Sequence, residues 1–138
     1  MIIRQTRQPL RHLFLTLLFA VAVSGLAAQA VPLDRYRGLQ PVMVVFSSDR
    51  DDVRPFEFNL ALSTNWDRIL SREIAVLDVG PLAYDVEAVA RQLELGTRDF
   101  AIVLIARDGS QLMTTEDPGD LGELLRRLDL HRNEEDEP

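Results

Sequence analysis

Ser47-Ser48-Asp49-Arg50-Asp51-Asp52 is the densest run of chemically capable side chains in this sequence. Asp49, Asp51 and Asp52 could hold a hard cation through oxygen ligands. Their spacing resembles the start of a calcium loop, but the glycine and the distal glutamate of such a loop are missing at the required offsets. The simpler reading has these acids cap the helix that follows and favour its positive end. Ser47 or Ser48 could act as a nucleophile only with a base and an acid in mutual hydrogen-bond reach. Apart from His12, His131 is the sole histidine. It stands beside a charged tail, where it is expected to serve the negative end of the last helix. Arg35, Arg37, Arg98 and Arg107 could form an anion-recognition face if the fold gathers them; otherwise they are solvated charges balancing a surplus of acid. Trp66, Tyr36 and Tyr84 occupy helix-stripe and staple positions and read as core rather than as groove lining.

Composition removes whole classes of chemistry. There is no cysteine among the 138 residues, so disulfides, thiolate nucleophiles, zinc-thiolate sites and lipoprotein acylation are excluded. All 15 basic side chains are arginine, which removes Schiff-base and lysine-activated catalysis. No phosphate loop, dinucleotide fingerprint or HExxH occurs. With 22 acids, accidental carboxylate pairs are too common to argue for glycoside hydrolysis. No cofactor and no metal is expected.

Residues 1–30 read as a secretory signal. Arg4, Arg7 and Arg11 precede the uncharged run Leu13–Leu26, which ends in Ala27-Ala28-Gln29-Ala30. That is a basic start, a short apolar segment and an A-x-A cleavage site. The run falls short of the roughly 20 residues that span a bilayer. Cleavage is expected near Ala30, with export to the periplasm or beyond and no stable membrane anchor afterwards. The 108 residues left carry twelve arginines against all 22 acids, a formal charge of −10 where the whole chain has −7. Such a surface disfavours nucleic acid and anionic membrane as partners.

The elements that must position these residues follow from apolar periodicity. Pro41–Phe46, Ile74–Asp78 and Phe100–Ile105 are continuous apolar runs of the kind that form buried strands. Gln111–Thr115 forms a fourth strand across the Arg107-Asp108-Gly109-Ser110 turn. Pro55–Leu70 admits a strand or a helix; the crossover required between two parallel strands favours a helix striped by Phe58, Leu62, Trp66, Ile69 and Leu70. Val86–Leu95 is a helix capped by Asp85 and closed by Gly96. The last helix has Asp117 as cap, Pro118 in the first position, and a stripe of Leu121, Leu124, Leu125 and Leu128. Glu123 and Arg127 form an i,i+4 pair, and Arg126, Arg127 and Arg132 suit the negative end. Residues 133–138 are expected to be a solvated, frayed acidic tail.

One β-α-β unit, a further helix, a β-hairpin and a final helix make an α/β domain over residues 31–132. The expected sheet is mixed and four-stranded, in the order second, first, third, fourth, with helices on both faces. That is the thioredoxin arrangement. Leu33-Asp34-Arg35-Tyr36-Arg37 ahead of a strand resembles the opening of bacterial domain-of-unknown-function family 4174. Val42-Met43-Val44-Val45-Phe46-Ser47-Ser48 is similar to its first strand. Phe100-Ala101-Ile102-Val103-Leu104-Ile105-Ala106-Arg107-Asp108-Gly109-Ser110 is similar to its late strand and basic-Asp-Gly turn, and Arg132-Asn133-Glu134-Glu135 to its charged close. Together these cover nearly all of residues 33–135. The resemblance implies a thioredoxin-like domain, found in exported bacterial proteins and within larger animal matrix proteins, without an agreed activity, and it carries over no catalytic residues.

In thioredoxin-like proteins the loop after the first strand holds the redox pair, and the next helix stabilises a thiolate there. Here that loop holds serines and aspartates. Thr97-Arg98-Asp99, not proline, precedes the third strand. Dithiol chemistry is therefore excluded. The expected function is a non-catalytic interaction domain of the cell envelope that binds a protein or a small ligand. Its candidate binding loop comprises Ser47, Ser48, Asp49, Asp51, Asp52, Arg98, Arg107 and Asp108, if these converge in the fold. The alternative is a carboxylate- or cation-dependent enzyme on the same fold.

Overall fold

The two most apolar runs become the two central strands. In the computed structural model, which describes residues 30–138, β1 (Val42–Ser47) and β3 (Phe100–Ile105) are buried along their whole length. The leader expected over residues 1–30 lies, but for Ala30, outside the described residues. β1 pairs parallel with β2 (Ala75–Val79) and antiparallel with β3, and β3 pairs antiparallel with β4 (Gln111–Thr115). The sheet order is therefore β2-β1-β3-β4, the thioredoxin-like order expected from the sequence.

Alternation along β1 and β3 sends side chains to two separate core layers. Met43, Val45, Ile102 and Leu104 face one layer, which is closed by α1 (Arg54–Thr64), α2 (Trp66–Ser71) and α4 (Leu121–Asp136). Val42, Val44, Phe46, Val103 and Ile105 face the other. There α3 (Val86–Gln92) contributes Val89, followed by Leu93 and Leu95. The lead-in covers this second layer with Val31 and Tyr36. Gln92 clamps it: its side-chain amide accepts from the Val31 N–H and donates to the Val31 carbonyl, both at 2.9 Å.

Five details differ from the sequence expectation. First, β2, expected as a buried strand, is only half-buried over most of its length, because among the described residues no strand pairs with its outer side. Second, the helix expected over Pro55–Leu70 is broken at Asn65. Asn65 leaves helical geometry at φ −115° and ψ 25°, which ends α1, and its side-chain amide donates to the Ala61 carbonyl at 2.9 Å. Across the break Ile69 stays on the buried Phe58–Leu62 face, while Trp66 and Leu70 lie off it, 45% and 57% exposed. Trp66 is therefore not core, whereas Tyr36 and Tyr84 do pack against the second layer.

Third, α3 closes before Gly96. The Leu95 N–H reaches the Ala90 carbonyl and the Glu94 N–H reaches that of Arg91. This capping pattern puts Glu94 itself in the left-handed conformation, φ 56°. Fourth, α4 starts at Leu121, not at Pro118. Asp117 caps the preceding turn instead, accepting from the Gly119 N–H at 2.8 Å. Fifth, α4 continues to Asp136, so most of the expected tail is helical. Arg126 and Arg127 then lie mid-helix, where both bind Glu123, rather than at its negative end.

Candidate functional site

β1 delivers the Ser47–Asp52 run to the C-terminal end of the parallel pair, where ligands commonly meet α/β sheets. Ser47 is buried, and its Oγ donates to the Asp49 carbonyl at 2.8 Å while accepting from the Asp49 N–H at 3.3 Å. Asp49 Oδ1 accepts from the Asp51 N–H at 2.9 Å. Asp52 Oδ1 accepts from the Arg54 N–H at 2.9 Å, and both oxygens of Asp52 grip the Arg54 guanidinium at 2.7–3.1 Å. The same guanidinium stands 4.9 Å from the centre of the Phe100 ring. The Arg54 hydrogen bond holds the Asp52 carboxyl below the usual carboxylate range.

These contacts correct the helix-cap reading in part. Only Asp52 serves the start of α1, because Val53 occupies the capping position. The cation-loop reading fares worse. Asp49 and Asp52 are engaged with their own loop, and Asp49, Asp51 and Asp52 do not converge as a ligand cluster. The serine-histidine reading fails on distance: His131 belongs to the far end of the sheet, beside the turn after Ile105.

The segment before β3 does join the loop. Ser48 donates its N–H to the Asp99 carbonyl at 2.8 Å, and its hydroxyl reaches the Asp99 carboxylate at 3.2 Å. Arg98 spends one nitrogen on the Leu95 carbonyl at 2.9 Å and lies 3.8 Å from Glu116. Arg107 and Asp108 do not join. Because β1 and β3 are antiparallel, Ser47 pairs with Phe100 and Val42 with Ile105. The Arg107 turn therefore lies one strand length away, roughly 17 Å at 3.3 Å per residue. The eight expected residues form two clusters at opposite ends of the sheet, not one.

At the Ser47 end lies an open groove of about 470 Å³ between the loop, α1 and the Gly80–Ala83 turn. Ser47, Asp49 and Asp52 line its polar side. Its apolar side was not anticipated: Pro55, Phe56, Pro81 and Leu82, with Phe56 72% and Leu82 86% exposed. Phe56 alternates with the buried Phe58, which was visible in the sequence as an ambiguity of period. Leu82 follows Gly80-Pro81, which read only as a strand breaker.

At the opposite end, Asp108 Oδ1 accepts from the Ser110 N–H and hydroxyl at 2.9 and 2.6 Å. These bonds lower its pKa. Its other oxygen faces His131, which α4 holds one turn before Glu135.

No family model matches the chain, and no curated protein matches it. Among solved structures, a reduced 2-Cys peroxiredoxin of Plasmodium vivax aligns at a TM-score of 0.58 and 19% identity, covering 76% of this chain and 85% of that one. Thioredoxin peroxidase I of Plasmodium yoelii aligns at 0.58 and 19% identity, covering 75% of this chain and 79% of that one. At this identity the likeness is one of fold alone.

Proposed function

We propose that this chain is a non-redox, thioredoxin-like interaction domain whose groove at the end of β1 and β2 takes an apolar segment of a partner protein. The carrying observation is the exposure of Phe56 and Leu82 on facing walls of that groove. Large apolar side chains exposed together, and rimmed by polar groups, mark binding surfaces more often than isolated ones do. Asp49, Arg50 and Asp52 supply such a rim. Extended apolar peptides suit the site: the groove is open and borders β2, whose outer edge is paired by no other strand among the described residues.

Kinship with domain-of-unknown-function family 4174 and export into the envelope complete the proposal. They rest on the motifs at residues 33–48, 100–110 and 132–135 and on the leader-like residues 1–30. An acidic domain in the envelope would select partners with basic flanks around an apolar stretch.

The test is capture of envelope proteins by the full chain, repeated with the Phe56→Ser/Leu82→Ser double variant. Reproducible capture that the double substitution abolishes supports the groove. Absence of any reproducible partner, or capture indifferent to both substitutions, removes it.

A further inference from the structure

At the end of the sheet away from the groove, the geometry points to a site for one divalent transition metal of the zinc class, held by Asp108, His131 and Glu135. One ring nitrogen and two carboxylate oxygens lie within 4.8 Å of one another. His131 Nε2 is 3.3 Å from Glu135 Oε1 and 3.7 Å from Asp108 Oδ2. Nitrogen and oxygen ligands at zinc bond lengths and tetrahedral angles stand about 3.3–3.4 Å apart. The His131–Glu135 edge has that length already, the His131–Asp108 edge exceeds it by a few tenths of an ångström, and the two carboxylates, within 4.8 Å of each other, would close onto the ion by side-chain rotation.

The state of the imidazole is the independent observation. Nε2 is shielded from solvent and has no hydrogen-bond partner among the described residues. A buried polar atom left unsatisfied is costly and calls for an explanation. The side chain as a whole is 22% exposed, but this atom lies against two carboxylates, and a metal ion would satisfy all three groups at once.

The neighbouring groups leave these atoms free. Asp108 spends Oδ1 on Ser110 and keeps Oδ2 toward His131. Arg132, on the same stretch of helix, donates to the Arg72 carbonyl at 2.7 Å. Helical spacing sets His131 and Glu135 on one face. A ligand set containing imidazole favours zinc, nickel or copper over calcium or magnesium. Two carboxylates neutralise the ion's charge. The adjoining hollow, lined by Pro41, Arg107 and Leu128, leaves room for water on the open side.

The experiment titrates zinc chloride into the tag-free full chain by calorimetry, with cobalt(II) absorption as a spectroscopic readout. The expected result is one ion per chain, loss of that binding in His131→Ala, and at least about tenfold weaker binding in Asp108→Asn and Glu135→Gln. Cobalt should give intense visible bands with the unaltered chain and not with His131→Ala. Glu87→Gln, at an exposed acid on α3, should bind as the unaltered chain does. Circular dichroism checks that each variant is folded; Glu135→Gln, at an exposed position, carries the test should His131→Ala unfold. Two results overturn the site. One is no heat and no thermal shift up to millimolar zinc, which leaves His131 an ion-pair partner only. The other is binding that persists unchanged in folded His131→Ala or Glu135→Gln.

Discussion

Asp129 shows how single side chains tie this molecule together. Its two oxygens accept from Arg72 at 2.9 Å each, joining α4 to the residue that ends α2. The paired fork gives a defined geometry that most surface ion pairs lack. The Arg72 hydrogen bond leads the causes that hold the Asp129 carboxyl below its ordinary value. A lowered folded-state pKa stabilises above the unfolded value, near 3.9, and the gain is lost as pH falls through the folded one. Asp129 is 46% exposed, so screening limits the effect. Asp129→Asn should cost about 0.5–1 kcal/mol at pH 7, and that cost should fade toward pH 3, in urea titrations at both pH values. The apolar residues divide the same way. Phe58, wholly buried, should cost about 3–5 kcal/mol on change to alanine. Phe56, two residues earlier, should change stability by less than about 0.5 kcal/mol on change to serine. A comparison of their denaturation midpoints separates core from groove.

At the level of elements, helix ends carry most of the unexpected structure. α2 and α3 close by the same device. The Ile74 N–H reaches the Ile69 carbonyl and the Leu95 N–H reaches that of Ala90, each around a left-handed glutamate, Glu73 at φ 55° and Glu94 at φ 56°. Ile74 and Leu95, the residues that follow, are buried and lock the turns. Glutamate pays a steric cost in that conformation which glycine does not. Glu73→Gly and Glu94→Gly should each raise stability, by about 0.5–1 kcal/mol in denaturant titrations; a loss at both positions would refute the strain. The start of α3 behaves more simply. Asp85 accepts from the Ala88 N–H at 3.1 Å, and Asp85→Ala should cost about 1 kcal/mol.

For the molecule as a whole, β1 and β3 matter most because each supplies both core layers. Opening either layer would expose one whole face of these two strands. Leu124→Ala in the first layer and Val89→Ala in the second should each lower the midpoint yet leave a single transition. Far-ultraviolet circular dichroism and Trp66 fluorescence should coincide throughout. The same frame explains why the expected site divided. A sheet has two ends, and an antiparallel pair sends residues 47 and 107 to opposite ones.

The sequence alone determined the sheet order, the identity of the central strands and the exclusion of thiol chemistry. Apolar runs and turn residues act over a few positions, and the absence of cysteine needs no fold to interpret. It also carried the His131–Glu135 spacing, but as an apparent tail rather than a helix face. Tertiary structure decided what lies together. It placed Ser48 against Asp99, turned Phe56 and Leu82 to face one groove, and brought Asp108 to His131. These pairings depend on strand direction and on which face of each helix meets the sheet, and neither is set by residues a few positions apart.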